Sequence, residues 1–180
     1  TGRCLRFLQE HHPEVAAIGI EPVKNLRQVG HQSGLGSDVL LAGDGNELPF
    51  PDSSFDIVTS FGVLHHVPHP EVVVAEMLRV AGKAILISDS NYLGQGSRLT
   101  RLAKRTLTSS GLWPVANYLR TRGRRYHESD GDGIFYSYSI FQNYSQIASE
   151  CSAIHVLNTM GRARSVRGDA GHVALLAFKP

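Results

Sequence analysis

The sequence predicts an α/β fold built on a doubly wound, mostly parallel sheet, with an antiparallel strand pair at its C-terminal end. Three observations carry that expectation. Short apolar runs alternate with stretches of helical periodicity from residue 2 to residue 89. Two of those runs end in an acid, Glu21 and Asp44. Two further apolar runs, 154–159 and 172–179, close the chain and are joined by a polar connection, the pattern of neighbouring antiparallel strands.

The elements follow in order. Residues 2–12 read as a helix entered from a glycine turn, with Cys4, Leu5 and Leu8 on one face. Residues 15–21 form a short apolar run ending in Glu21, a buried strand, and Pro22 then opens a short helix. Residues 38–44 form a second strand ending in Asp44, and residues 55–61 a third. Residues 70–80 place Val73, Met77 and Val80 on one helical face, and 83–89 is a fourth strand. Residues 90–152 interrupt this rhythm with two basic helical pieces and a Gly/Asp-rich loop, as expected of a lid inserted into a single domain of residues 1–180.

Composition narrows the function classes. Of 180 residues, 42% are apolar and 19% charged, which supports a packed core and argues against disorder. Cys4 and Cys151 are the only cysteines, too few for a disulfide framework or a four-thiolate zinc site, and a reducing cytoplasm is the expected location. No apolar run approaches the ~20 residues that span a bilayer. Eighteen basic residues against sixteen acidic ones give a net charge of +2, which argues against a dedicated nucleic-acid binder. That balance conceals an asymmetry. Eight of the eighteen basic residues lie between 98 and 125, where there is no Asp or Glu at all.

In a doubly wound sheet, ligands bind beyond the carboxyl ends of the strands. A carboxylate just past one strand end can accept hydrogen bonds from a ribose diol, and one on the next strand can receive an adenine amino group. Glu21 and Asp44 suit these two roles. Either acid alone would equally serve as a solvated loop residue or a helix cap, and it is the pair on successive strands that points to a nucleoside.

The stretch Gly43-Asp44-Gly45-Asn46-Glu47-Leu48-Pro49-Phe50-Pro51-Asp52-Ser53-Ser54-Phe55-Asp56-Ile57-Val58, with Leu64-His65-His66-Val67 and Glu76-Met77-Leu78-Arg79-Val80, resembles the class I S-adenosylmethionine (SAM)-dependent methyltransferases of small-molecule type. The resemblance implies a Rossmann-like fold and SAM as cofactor. It implies Glu21 on the ribose hydroxyls, Asp44 on the adenine amino group with Gly45 letting the base lie close, and Ser60 and Phe61 near the sulfonium. Thr1-Gly2-Arg3 would be the tail of the family's glycine-rich loop, with Gly2 its last glycine. On this reading the sequence lacks the family's first strand and most of that loop.

Methyl transfer mainly needs an aligned nucleophile and, for a hydroxyl acceptor, a base. His65 and His66 are the candidate bases. His65, His66 and His69 also spell a His-His-x-x-His run, but no Cys or acid at ligand spacing completes a metal site, so no metal is expected. Asp89, Tyr136 and Tyr138 are candidate substrate contacts, and His127 stands in the same lid region. The expected substrate is a small or medium-sized metabolite, with an anionic group favoured by the basic segment. Peripheral lipid contact stays open for that segment, RNA ranks low because its aromatics are few, and the oligomeric state is unknown. The acidic loop 128–133 could pair with the arginines. Two other functions fit the same residues: a nicotinamide-dependent oxidoreductase using Glu21 on its ribose, or a non-catalytic module using segment 98–125.

Overall fold

Gly2 starts the chain's first helix because its backbone is left-handed (φ 69°) and because a Cβ there would run into Leu35 Cδ1. The computed structural model describes residues 2–131, 133–161 and 165–180. Thr1 and Asp132, which belong to the glycine-turn and acidic-loop readings, lie outside the described residues. The chain divides into two compact units, Thr1–Phe50 and Pro51–Pro180.

The first unit holds α1 (Arg3–His11), β1 (Gly19–Ile20), α2 (Lys24–Gln32) and β2 (Leu40–Leu41). β1 and β2 pair in parallel, Gly19 opposite Leu40 and Ile20 opposite Leu41. Leu5, Leu35 and Leu40 form its small core, with Ala17 and Val39 against it. Both strands are shorter than the apolar runs 15–21 and 38–44 suggested. Residues 12–15 are drawn into a turn by the Val15 N–H to His12 carbonyl bond (2.9 Å), and Val15 and Ile18 are exposed. A two-stranded ladder offers few partners for longer strands. Pro22 precedes α2 rather than opening it. The Glu21 carboxylate accepts the Val23 N–H (3.1 Å), and Arg27 Nη1 donates to the carbonyls of Glu21 and Pro22 (2.7 and 2.8 Å). These bonds hold a turn that delays the helix to Lys24.

The second unit contains β3 (Phe55–Phe61), α3 (Pro70–Val80), β4 (Ala81–Ser90), α4 (Arg98–Ser109), α5 (Trp113–Arg120), β5 (Tyr126–Ser129), β6 (Gly133–Tyr136), α6 (Tyr144–Glu150), β7 (Ala153–Asn158) and β8 (His172–Phe178). Its main sheet has the order β3-β4-β8-β7. β3 and β4 are parallel, and β8 is antiparallel to both of its neighbours. The expected C-terminal antiparallel pair is therefore β7 and β8. Pro70 occupies the first turn of α3, where its missing N–H has no intrahelical partner to lose. α3 buries Val74 and Leu78 as well as Val73, Met77 and Val80, a broader stripe than the expected one. Val73, Val74, Met77 and Leu78 form the core with Leu64, Ile85, Ile87, Ile140, Ile147 and Leu175.

Region 90–152 holds two features that the sequence did not announce: the hairpin β5–β6 and helix α6. β5 reads Tyr-His-Glu-Ser, which lacks the apolar alternation that marks a half-buried strand. In the hairpin, Tyr126 lies opposite Tyr136 and Ser129 opposite Gly133.

Candidate functional site

In the first unit, Glu21 follows β1 directly and extends the ladder by one bond, its N–H donating to the Leu41 carbonyl (3.1 Å). Asp44 follows β2 by three residues. Both acids thus stand at the carboxyl end of the parallel pair. The Asp44 side chain is exposed, and its Oδ1 accepts the backbone N–H of Asn46 (2.9 Å) and the Asn46 side-chain amide (2.7 Å). These bonds fix the orientation of the carboxylate within the tight turn 44–47. Gly43 packs closely on β1, since a Cβ would stand 3.0 Å from Ile20 Cγ2. Gly45 beside Asp44 is half-buried.

In the second unit, the parallel register brings the carboxyl ends of β3 and β4 together, with Ser60 opposite Ile87 and Phe61 opposite Ser88. Asp89 follows at once and is fully buried. A buried carboxylate must be compensated, and three donors converge on this one. Leu64 N–H donates to Oδ2 (2.8 Å), Ser90 N–H to Oδ1 (2.6 Å), and His65 Nδ1 lies 2.8 Å from Oδ1. The His65 side chain keeps 14% of its surface exposed. An ionised carboxylate only accepts hydrogen bonds, so it selects the His65 tautomer protonated at Nδ1, which places the basic lone pair on Nε2.

His66 packs against His65 with the rings tilted by 42° and centroids 3.9 Å apart, and its Nδ1 is 2.7 Å from the Ile134 carbonyl of β6. His69 points away into a surface pairing with Glu71 (3.2 Å) and is 71% exposed. Among the described residues, no group of three or more His, Cys, Asp or Glu is placed to hold a metal ion. Phe61 is about half exposed, and Ser60 is buried.

The candidate substrate contacts separate. Asp89 sits under His65. Tyr138 is a core residue, 2% exposed, and its hydroxyl donates to Asn143 Oδ1 (2.8 Å). Burial, and then the Asp89 charge, push its phenol far above the usual tyrosine range, so it stays protonated. Tyr136 is half-buried and meets Tyr126 across the hairpin, ring centroids 6.3 Å apart. Arg120 Nη2 lies 2.8 Å from His127 Nε2; burial first, then Arg120 and Arg124, hold the His127 imidazole below its ordinary value. Arg120, Arg122 and Arg124 line a cavity of about 650 Å³ with Tyr126, Glu128 and Asp130. Among the described residues, Glu128 and Asp130 form no ion pair with these arginines.

One structural residue had no sequence signal. Asn91, fully buried after β4, accepts the Ser139 hydroxyl at Oδ1 (2.9 Å) and donates to the carbonyls of Arg167 (2.9 Å) and Ala170 (2.8 Å). It ties the end of β4 to two distant loops.

The residues present fit the cofactor that the resemblance implies. The N–H groups of the first turn of α1 have no side-chain cap and no acid beside them, which suits the carboxylate of an amino acid. The buried Ser60 hydroxyl has no hydrogen-bond partner among the described residues, an orphan polar atom that a ligand would satisfy.

Comparison with known proteins agrees. A family described as a methyltransferase domain matches residues 1–84. A phosphatidylethanolamine N-methyltransferase of Cereibacter sphaeroides is 41% identical over 77 residues, covering 43% of this chain and 31% of that protein. A demethylmenaquinone methyltransferase of Geobacillus kaustophilus is 42% identical over 72 residues, covering 38% of this chain and 31% of that protein. The match therefore spans less than a third of each relative. A solved SAM-dependent methyltransferase from Mesorhizobium loti superposes with a TM-score of 0.63 at 15% identity, covering 99% of this chain and 86% of that one, which shows the fold.

Proposed function

We propose that this chain, whose residues 1–84 match a family described as a methyltransferase domain and which has the fold of a SAM-dependent methyltransferase, transfers a methyl group from SAM to a small or medium-sized acceptor bearing an anionic group. The observation that carries this reading is the placement of Glu21 and Asp44 together at the carboxyl end of the β1/β2 pair. SAM, when bound, supplies a methyl group on a sulfonium that is already activated toward displacement.

The chain's own residues have four tasks. Glu21 accepts the ribose hydroxyls, and Asp44, held by Asn46, receives the adenine amino group. Gly2 presents the uncapped start of α1 to the methionine carboxylate. Ser60 and Phe61 are assigned to the sulfonium end. His65 Nε2 accepts the proton that an O–H or N–H acceptor must lose, and Asp89 fixes the tautomer and steadies the imidazolium that results. His66 is the alternative base. Its Nδ1 faces the Ile134 carbonyl. The anionic group on the acceptor is favoured by the arginine-lined cavity beside α5. The relatives named for phosphatidylethanolamine and demethylmenaquinone support methyl transfer and extend the acceptor class to lipids.

The test is methyl transfer from labelled SAM to fractionated extract by the full-length protein. Asp44→Ala should raise the KM for SAM with little change in kcat, and His65→Gln should do the reverse. Binding of NAD(H) with no binding of SAM or S-adenosylhomocysteine would overturn the reading in favour of an oxidoreductase.

A further inference from the structure

α4 and α5 are assembled the wrong way round for helices of a water-soluble fold. A helix on a globular protein turns its apolar stripe to the core and its charges to water. In α4 the polar side is the one that docks. Lys104 Nζ donates to the carbonyls of Tyr92 (2.8 Å) and Gln95 (3.2 Å), and the Thr108 hydroxyl is 2.9 Å from the Tyr92 hydroxyl. Arg101 and Arg105 reach Asp169 (3.6 and 3.4 Å). The apolar stripe is left outside, Leu99 at 79% and Leu102 at 61% exposed, and α4 buries no residue. α5 repeats the pattern. Trp113 docks by stacking on Tyr92 with centroids 4.8 Å apart, while Val115 and Leu119, with Leu112 just before the helix, stay 55–70% exposed at i, i+3 and i+7 spacing.

Charge says what covers this hairpin. Segment 98–125 carries eight cations and no acid. Among the described residues, Arg98, Arg122, Arg124 and Arg125 form no ion pair. Apolar side chains exposed on short helices and fringed by uncompensated arginines match an anionic lipid surface, where leucines enter the acyl boundary and guanidinium groups meet phosphates. A second copy fits poorly, because a two-fold pairing would set eight cations against eight. Nucleic acid would use the cations but leave the leucines in water, and Trp113 is already stacked on Tyr92.

We propose that the α4–α5 hairpin docks the protein on anionic membrane surfaces. This goes beyond methyl transfer and does not depend on it, since docking needs no cofactor.

Vesicle flotation of the full-length protein without SAM tests it, using phosphatidylcholine vesicles with and without phosphatidylglycerol. The protein should bind the mixed vesicles at least tenfold more tightly, and added salt should weaken that binding. Leu99→Glu/Leu119→Glu, at exposed positions, should abolish flotation with the circular dichroism spectrum unchanged. Arg98→Gln/Arg125→Gln, outside the arginine-lined cavity, should weaken binding to the mixed vesicles by roughly thirtyfold. The proposal is overturned if phosphatidylglycerol has no effect, or if the leucine variant floats like the parent. It is also overturned if the parent is a dimer that the leucine variant dissociates, or if RNA competes the protein off the vesicles through the leucines.

Discussion

Asp89 carries a charge at a site with no solvent access, and the three donors around it make that tolerable. Its role follows from its partner. His65→Gln should lower turnover by roughly 10²–10⁴-fold with cofactor affinity unchanged, read as kcat against the SAM dissociation constant. Asp89→Asn should show the same split, since an amide no longer stabilises the imidazolium. Unchanged turnover in both would mean that the acceptor needs no base from this pair. His127 offers a second check. Its imidazole should titrate below the ordinary 6.5 by NMR, and Arg120→Ala should move it upward. The sign of the linkage is fixed: a histidine held below its unfolded value adds stability above about pH 6.5, and that stability fades as the pH falls toward the folded value. At this scale the sequence was partly legible. Glu21, Asp44 and Asp89 could be placed at strand ends from the apolar runs alone. The bond between His65 and Asp89 could not, because it joins residues 24 apart through the register of β3 and β4; for Tyr138, a packing role stood beside the substrate-contact reading, and the structure buries it in the core.

Elements were legible where periodicity and burial agree. α3 has the expected bounds because most of its apolar positions are the buried ones; β3 has them too, although Ile57 and Phe61 are exposed and its one buried residue is Ser60. Periodicity failed where it reports an apolar stripe without saying what the stripe faces. In α4 the stripe of Leu99, Leu102, Ala103 and Leu107 is plain in the sequence, yet the polar side is the one that docks. Urea denaturation separates the two cases. Leu78→Ala in α3 should cost about 2–5 kcal/mol, whereas Leu102→Gln in α4 should stay within about 0.5 kcal/mol of the parent. A cost for Leu102→Gln equal to that of Leu78→Ala would place the α4 stripe inside the fold. Gly2→Ala should cost about 1–2 kcal/mol for the left-handed backbone alone, with a further penalty for the clash with Leu35.

At the scale of the molecule, each unit contains one parallel strand pair whose carboxyl ends gather polar groups. The first gathers Glu21 and Asp44, and the second gathers Ser60, His65 and Asp89. Composition showed a near-neutral chain with its basic excess gathered in residues 98–125. The structure places the basic segment on one helical hairpin and the turn that follows it. The central claim is that the acids of the first unit recognise SAM. Isothermal titration of the full-length protein with S-adenosylhomocysteine tests it most directly. The account predicts saturable one-site binding that Glu21→Ala and Asp44→Ala each weaken by roughly ten- to hundredfold, as expected for lost hydrogen bonds to a charged group. Binding of equal strength in both variants, or NAD⁺ binding where S-adenosylhomocysteine does not bind, would contradict it.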